Sequence, residues 1–564
     1  MGLDQSLRPA SRPRHPTVPA KVTSPRPARH RHWHRPPAPA RPPSAVVTNG
    51  RYGTPVSTYL RIDATFLPSR HSFKEVRQDR TRELSVAPAT ARTGTEGFMG
   101  AGDGTPVRRD APRARNAELL MLGFAVVLTL FGYACVGLAV DGNVPDDLAW
   151  YAAGLSTAAG AAHLAVRRFA PYADPLILPV AAALSGLGLV LLHRLDLSYG
   201  IRYHSSPAEP SQLMWNGIGL AVCLAVLVFL KDHRHLQRYM YVMIFGALVL
   251  LMAPAFFGAD TYGAKRWIRL GALSFQPGEF VKIGIAVFFA GYLTLHKDAL
   301  ALASRRVLGL YLPRGRQFGP IAAVWLLSLL VLVFERDLGT SLIFFGLFVI
   351  MLYAATERGS WVVSGLLMFA VGAAVVGSLE PHVKGRVFAW LHPMSYYDTP
   401  RPAGIISDQS AQALFSFGSG GVLGTGLGHG HSDLLGFAGR SDFILTSVGE
   451  ELGLTGMMAV LLLYALLVER GLRTALDARD AFGKLLATGL TSALALQVFV
   501  VGGGVTGLIP LTGKALPFLA AGGSSQVATW VLVGLLLRIS DSARRPAPEP
   551  ALGVDEQATQ LIRP

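Results

Sequence analysis

Apolar positions along the chain gather into runs of about 20 residues, long enough for a helix to cross the ~30 Å hydrocarbon core of a bilayer. Twelve segments stand out, at approximately 117–140, 148–166, 174–193, 211–230, 239–257, 279–296, 318–334, 338–355, 360–379, 442–468, 482–508 and 515–538. In lipid a helix satisfies its own backbone hydrogen bonds, whereas a lone strand does not, so these segments are expected to be helices. The pattern predicts an all-α polytopic protein, placed multi-pass in the cell membrane.

Composition agrees. The 564 residues are 51% hydrophobic and 16% charged, with a mean hydropathy of +0.38, against about 25% charged residues in a typical soluble domain. The net charge of +16 changes meaning once it is located. Residues 1–115 hold 21 Lys and Arg against 8 Asp and Glu, so most of the excess belongs to a Pro- and Arg-rich tail. That tail cannot bury enough apolar surface to offset its ordering entropy and is expected to be disordered and cytoplasmic. With no folded basic surface in view, nucleic acid is not an expected partner. His30, His32 and His34 read as part of the solvated tail. Cys135 and Cys223 lie in apolar runs and read as small hydrophobes. The first apolar run begins near Ala117, past the usual position of a signal peptide, so the membrane helices themselves are expected to direct insertion.

Lys and Arg set the orientation. With both termini in the cytoplasm, the inside loops, such as "VRRFAPYA" and "KDHRHLQR", are nearly all basic. Two outside loops also hold Lys and Arg: the one carrying "GAKRWIRLGALSFQP", and the long loop 380–441. Loops of that length are usually functional or disordered.

Five stretches carry candidate chemistry. In "GAKRWIRLGALSFQPGEFVK" (263–282), Lys265, Arg266 and Arg269 are expected just outside a helix start, with Lys282 about one turn inside. Cations there suit a diphosphate, and Trp267 suits the interface. In "FERDLGTS" (334–341), Glu335, Arg336 and Asp337 interrupt an apolar run, where charges are expensive and usually line a cavity or pair. The 386–430 stretch supplies Asp398, Asp408, Gln409 and Gln412 outside the membrane, and an acceptor hydroxyl needs a base. In "SDFILTSVGEELG" (441–453), Asp442 is expected to cap a helix or sit in its first turn, and Glu450 and Glu451 lie among apolar residues that demand partners. In "GLIPLTGKALPFLAAGGSS" (507–525), Pro510 and Pro517 break a helix at membrane depth, and Lys514 lies near the outer interface.

Taken in order, these stretches resemble the SEDS family, the group containing FtsW, RodA and SpoVE, over roughly 174–538. "GAKRWI…FQPGEFVK", "ERDLGTS", "QSAQALFSFGSGGVLGTGLGHG" and "GLIPLTGKALPFLAAGGSS" are similar to its signature segments. The family has ten membrane helices. The resemblance therefore implies two additional N-terminal helices (116–170), a core at 171–540 with the extracellular loop 380–441, and tails at 1–115 and 541–564.

The resemblance implies a peptidoglycan glycosyltransferase that polymerises lipid II, serving elongation or division. A lipid II flippase and a non-catalytic scaffold are the alternatives. Asp398 is the implied base, with Asp408 its rival. The family spacing puts the base seven residues before Gln409, a position held by Pro402, and Asp398 lies eleven before it. Lys265, Arg266, Trp267, Lys282, Gln409 and Gln412 would hold substrate and diphosphate, and Asp337, Asp442, Glu450, Glu451 and Lys514 would line the cavity. The implied partners are lipid II, the undecaprenyl-diphosphate glycan, a class B penicillin-binding protein and the elongation or divisome proteins. Nothing in the sequence calls for a cofactor. No metal-ligand cluster is visible, which leaves a divalent cation open.

Overall fold

The structure, a computed structural model, describes residues 110–546 apart from 262–263, 271–272, 303, 308–309, 314–322, 324–325, 328–336 and 396–406. Residues 1–109 and 547–564 of the two expected tails, most of segment 318–334, and Glu335, Arg336 and Asp398 lie outside the described residues, while 110–115, expected as tail, are helical, and so are 541–544.

The described chain is mainly helical. It runs through α1 (Asp110–Val140), α2 (Leu148–Phe169), α3 (Ile177–Tyr203), α4 (Glu209–Phe229), α5 (His235–Arg238) and α6 (Met240–Phe257). A three-stranded antiparallel sheet follows, β1 (Gly258–Thr261), β2 (Ala264–Leu270) and β3 (Leu273–Phe275), then α7 (Gly278–Leu302) and the hairpin β4 (Ser304–Val307) and β5 (Leu310–Pro313). After these come α8 (Leu338–Thr356), α9 (Gly359–Leu379), α10 (Pro381–Leu391), α11 (Ser407–Gly420) and a 3-10 segment (Ser432–Arg440). The chain then ends on α12 (Ile444–Glu451), α13 (Gly453–Asp477), α14 (Ala481–Val505) and α15 (Gly523–Arg544). Among the described residues, eight helices are long and apolar enough to cross a membrane. Of these, α3, α7 and α14 are mostly buried inside the bundle, while α4, α9 and α13 turn most of their surface outward.

Each expected segment other than 318–334 coincides with helix, with three differences. First, the loop expected between 258 and 277 folds into the small sheet, with Ile268 opposite Phe275 and Trp267 opposite Ala259. Second, 442–468 is two helices. Gly453 sits at φ +67° in the break. The glycine-rich loop crosses there, with Leu454 N donating to Gly421 O at 3.0 Å and Gly426 N to Glu451 O at 3.0 Å. Third, helix in the last segment begins only at Gly523, and residues 506–522 stay irregular. Backbone at membrane depth needs protein partners. Here Gln497 Nε2 donates to Ala515 O at 3.0 Å, Tyr464 OH donates to Pro517 O, and Ala521 N donates to Arg440 O at 2.8 Å.

Small residues let helices approach closely. Gly219 of α4 lies against the Trp530 ring of α15, and Gly534 of α15 against Cys223 of α4. At the end of the bundle where α1 begins and α15 ends, Tyr172 N donates to Asp541 at 2.9 Å, Asp174 N to Ser540 Oγ at 3.0 Å, and Arg544 pairs with Asp174 at 2.7 Å. The start of α14 is tied to the α4–α5 turn. Asp480 caps Gly483 N at 2.8 Å, and its carboxylate lies 3.1 Å from His233 Nε2.

Two predictions follow from these ties. Gly453→Ala places a Cβ 2.5 Å from Val422 O, whereas Gly507→Ala, also at positive φ, meets nothing within 4 Å. The second should cost about 1–2 kcal/mol of strain and the first clearly more, read as unfolding midpoints of the purified protein. For Asp480, burial acts to raise the pKa, but the His233 hydrogen bond, the Gly483 N–H and the nearby charges outweigh it and hold the carboxyl below its ordinary value. A depressed carboxyl contributes stability that is present above its unfolded pKa of about 3.9 and lost only as pH falls below it. Asp480→Asn should therefore melt below the parent from pH 7 to pH 5, the gap closing only in stronger acid.

Candidate functional site

Three helix starts converge with the irregular 506–522 segment. Glu279 lies in the first turn of α7, and Lys282, three residues on, shares its face. Asp337 is the N-cap of α8, accepting from Thr340 N at 3.0 Å and Thr340 Oγ1 at 2.7 Å. Ser525 stands in the first turn of α15, Gln497 comes from α14, and Lys514 from the irregular segment.

Their polar atoms form one network. Lys282 Nζ is 2.7 Å from Glu279 Oε2 and donates to Gln497 Oε1 at 2.6 Å. Lys514 Nζ is 3.4 Å from Glu279 Oε1 and 3.2 Å from Asp337 Oδ2. Ser525 Oγ donates to Glu279 Oε2 at 3.3 Å. Glu279, Lys282, Asp337 and Lys514 are each at most 3% exposed. Among the described residues, two carboxylates face two ammoniums in this cluster, the kind of pairing that buried charge requires. The positive ends of the α7, α8 and α15 dipoles also point toward it and favour negative charge there. Gln276 N donates to Ser524 Oγ at 3.1 Å, so the small sheet is anchored at the same place.

Two pieces of the long loop hold the surroundings. Arg386 of α10 donates to Leu511 O at 2.8 Å and Trp390 Nε1 to Gly507 O at 2.7 Å, clamping the segment that carries Lys514. Beyond them, Glu450 and Glu451 organise the glycine-rich loop. Glu450 accepts from His431 N at 2.8 Å and Ser432 Oγ at 2.7 Å. Glu451 accepts from Gly428 N at 3.0 Å and pairs with Arg194 Nε at 2.7 Å. A further buried pair, Arg440 with Asp196 at 2.7 Å, places its guanidinium 4.3 Å over the Tyr199 ring.

The expected residues thus separate. Lys282, Asp337 and Lys514 meet in one cluster, and Glu450 and Glu451 lie in another. Asp408, Gln409 and Gln412 sit partly buried near the start of α11. Lys265, Arg266 and Trp267 are on β2 rather than beside a helix start, with the Trp267 ring half-buried. Asp442 does not cap a helix: α12 begins at Ile444 with Phe443 as its N-cap, and Asp442 accepts from Ser441 Oγ at 2.8 Å. Sequence reasoning passed over Glu279, Gln497, Arg386 and Arg194. The signal for Glu279 was an acid in a first turn with a lysine three residues later. Among the described residues, no group of three or more His, Cys, Asp or Glu could hold a metal ion.

Comparison with known proteins places this architecture. Residues 175–545 match the family described as cell cycle protein, FTSW_RODA_SPOVE. The peptidoglycan glycosyltransferase RodA of Mycobacterium tuberculosis is 48% identical over 439 residues, covering 77% of this chain and 92% of that protein. Its counterpart in Mycobacterium leprae is 45% identical over 440 residues, with the same coverages. Only 390 residues run from Pro175 to the end, so both matches extend into the α1–α2 hairpin. A solved chain from "Structural coordination of polymerization and crosslinking by a peptidoglycan synthase complex" superposes with a TM-score of 0.51 at 25% identity, covering 66% of this chain and 99% of that one.

The network yields a stability test. Glu279→Ala removes the carboxylate between two buried ammoniums, and breaking a buried pair costs about 3–5 kcal/mol. Adding Lys282→Met should restore part of that loss, measured as a double-mutant cycle on unfolding midpoints. An additive pair of losses would mean that the two groups are not coupled.

Proposed function

The chain belongs to the cell cycle protein family of FtsW, RodA and SpoVE, and from that premise we propose that it is a peptidoglycan glycosyltransferase polymerising lipid II into glycan strands. The observation that carries this reading is the 48% identity, over 77% of the chain, to a protein described as the peptidoglycan glycosyltransferase RodA. The chemistry takes place at the outer face of the cytoplasmic membrane, with both termini in the cytoplasm, as the basic inside loops imply. The growing glycan on undecaprenyl diphosphate is the donor. The 4-hydroxyl of the GlcNAc of lipid II gives up its proton to a carboxylate and attacks the donor's anomeric carbon. The bond to the diphosphate breaks, and undecaprenyl diphosphate leaves with the electron pair.

The buried cluster supports the leaving-group half of this reaction. An ammonium offers three donors, and Lys282 and Lys514 sit where three helix N-termini favour an anion. A diphosphate arriving there competes with Glu279 and Asp337 for those donors. Lys265 and Arg266 of β2 are assigned the same partner, since the chain just after the sheet is tied to the start of α15. Glu450 and Glu451 act indirectly, by fixing the loop that follows α11. Asp398 is the assigned base and Asp408 its rival. The enzyme acts with a class B penicillin-binding protein, in elongation or division, and similarity to a chain from a polymerising and crosslinking complex supports such a partner.

The test supplies labelled lipid II to the protein purified with its transpeptidase. Asp398→Ala should lower strand synthesis by about 10²–10⁴-fold, the usual contribution of a general base. Strands that persist in that variant but vanish in Asp408→Ala move the base to α11. Lipid movement in vesicles without strands would make the protein a flippase, and neither activity would leave a scaffold.

A further inference from the structure

A cavity of about 530 Å³ lies where α1 and α2 meet α3, α4 and α15. Most of its wall is apolar, including Leu122, Leu155, Ala159, Leu178 and Leu220. From Tyr151 to Ala162 it follows α2 for eleven residue steps, about 17 Å at a rise of about 1.5 Å per residue. That is close to the depth of one leaflet of a ~30 Å hydrocarbon core. Gly154 on α2 and Gly217 on α4 both line it, and neither has an atom within 4 Å of where a Cβ would stand.

The end nearest the α1–α2 turn is acidic. Asp147 accepts from Tyr133 OH at 3.0 Å, and the Tyr151 hydroxyl donates to Glu209. The two tyrosine rings stack at 4.5 Å, with His193 4.2 Å from Tyr133. Arginines of the same region are engaged elsewhere: Arg194 with Glu451, Arg202 with Asp433, and Arg440 with Asp196. Among the described residues no Lys or Arg forms an ion pair with Asp147 or Glu209. Two carboxylates that no described Lys or Arg pairs with, at one end of an apolar slot one leaflet deep, are complementary to a hydrocarbon chain ending in a positively charged donor group.

We propose that this cavity binds one chain of a phosphatidylethanolamine-type lipid, with its ammonium between Asp147 and Glu209. An anionic headgroup, a diphosphate-linked sugar carrier included, meets like charge there, which separates this site from the lysine cluster. The leaflet is the outer one under the orientation given above, and the inference rests on that reading only for this. The wall contributed by α1 and α2 lies N-terminal to the family match at 175–545, while the mycobacterial relatives extend into it.

The test uses the full chain in detergent, incubated with phosphatidylethanolamine or phosphatidylglycerol of identical acyl chains, with retained lipid counted by native mass spectrometry. One phosphatidylethanolamine should be kept per chain at about tenfold lower concentration than phosphatidylglycerol. Gly217→Leu and Gly154→Leu fill the slot from opposite walls, and each should remove that lipid while unfolding at the parent's temperature. Asp147→Asn combined with Glu209→Gln should abolish the preference between headgroups and leave a chain bound. Equal retention of the two lipids by the parent overturns the proposal, as does an adduct that survives both leucine substitutions. Since the readout is lipid retention, a failure of glycan synthesis bears on the enzymatic reading alone.

Discussion

A carboxylate held between two ammonium groups sets the constraint on the centre of this molecule. Glu279 cannot sit buried at the start of α7 without Lys282 and Lys514, and Lys514 reaches it only because residues 506–522 are not helical. That irregular backbone would be intolerable in lipid. It survives because Gln497, Tyr464, Arg440 and Arg386 supply its hydrogen bonds. Electrostatic pairing and backbone satisfaction are thus one problem here, solved by side chains from α10, α13 and α14 and by a backbone carbonyl of the 3-10 segment.

The membrane architecture was legible in the sequence because the bilayer imposes a length on apolar runs. Breaks at Pro510 and Pro517 were legible for the same kind of reason, since proline removes a donor wherever it stands. The break at Gly453 was not. Its neighbours are apolar on both sides, and the backbone turn is dictated by residues 421–426 crossing over it. Asp442 misled because an acid ahead of an apolar run usually caps a helix, whereas here the chain turns once more and Phe443 takes the capping position.

Charges were visible one by one, but their partners were not. Lys282 meets Gln497 across 215 positions and Glu279 meets Lys514 across 235. No local pattern encodes such pairings. The structure adds that Glu450 accepts from loop N–H and hydroxyl groups, and that Glu451 accepts from loop N–H groups and pairs with Arg194. It also adds a loop clamp, Arg386 and Trp390, on the segment that presents Lys514.

The ties between Asp174 and Arg544, and between Tyr172 and Asp541, span 370 and 369 positions. They join the beginning of the core to the last of the described helices. Until α15 has emerged and inserted, the face of α4 that receives Trp530 stays uncovered, and the loop before α3 lacks its acceptors. Such remote closures come late in folding. A chain cut short before Gly523 would leave a bundle with an open seam, exposed along its length to membrane quality-control proteolysis.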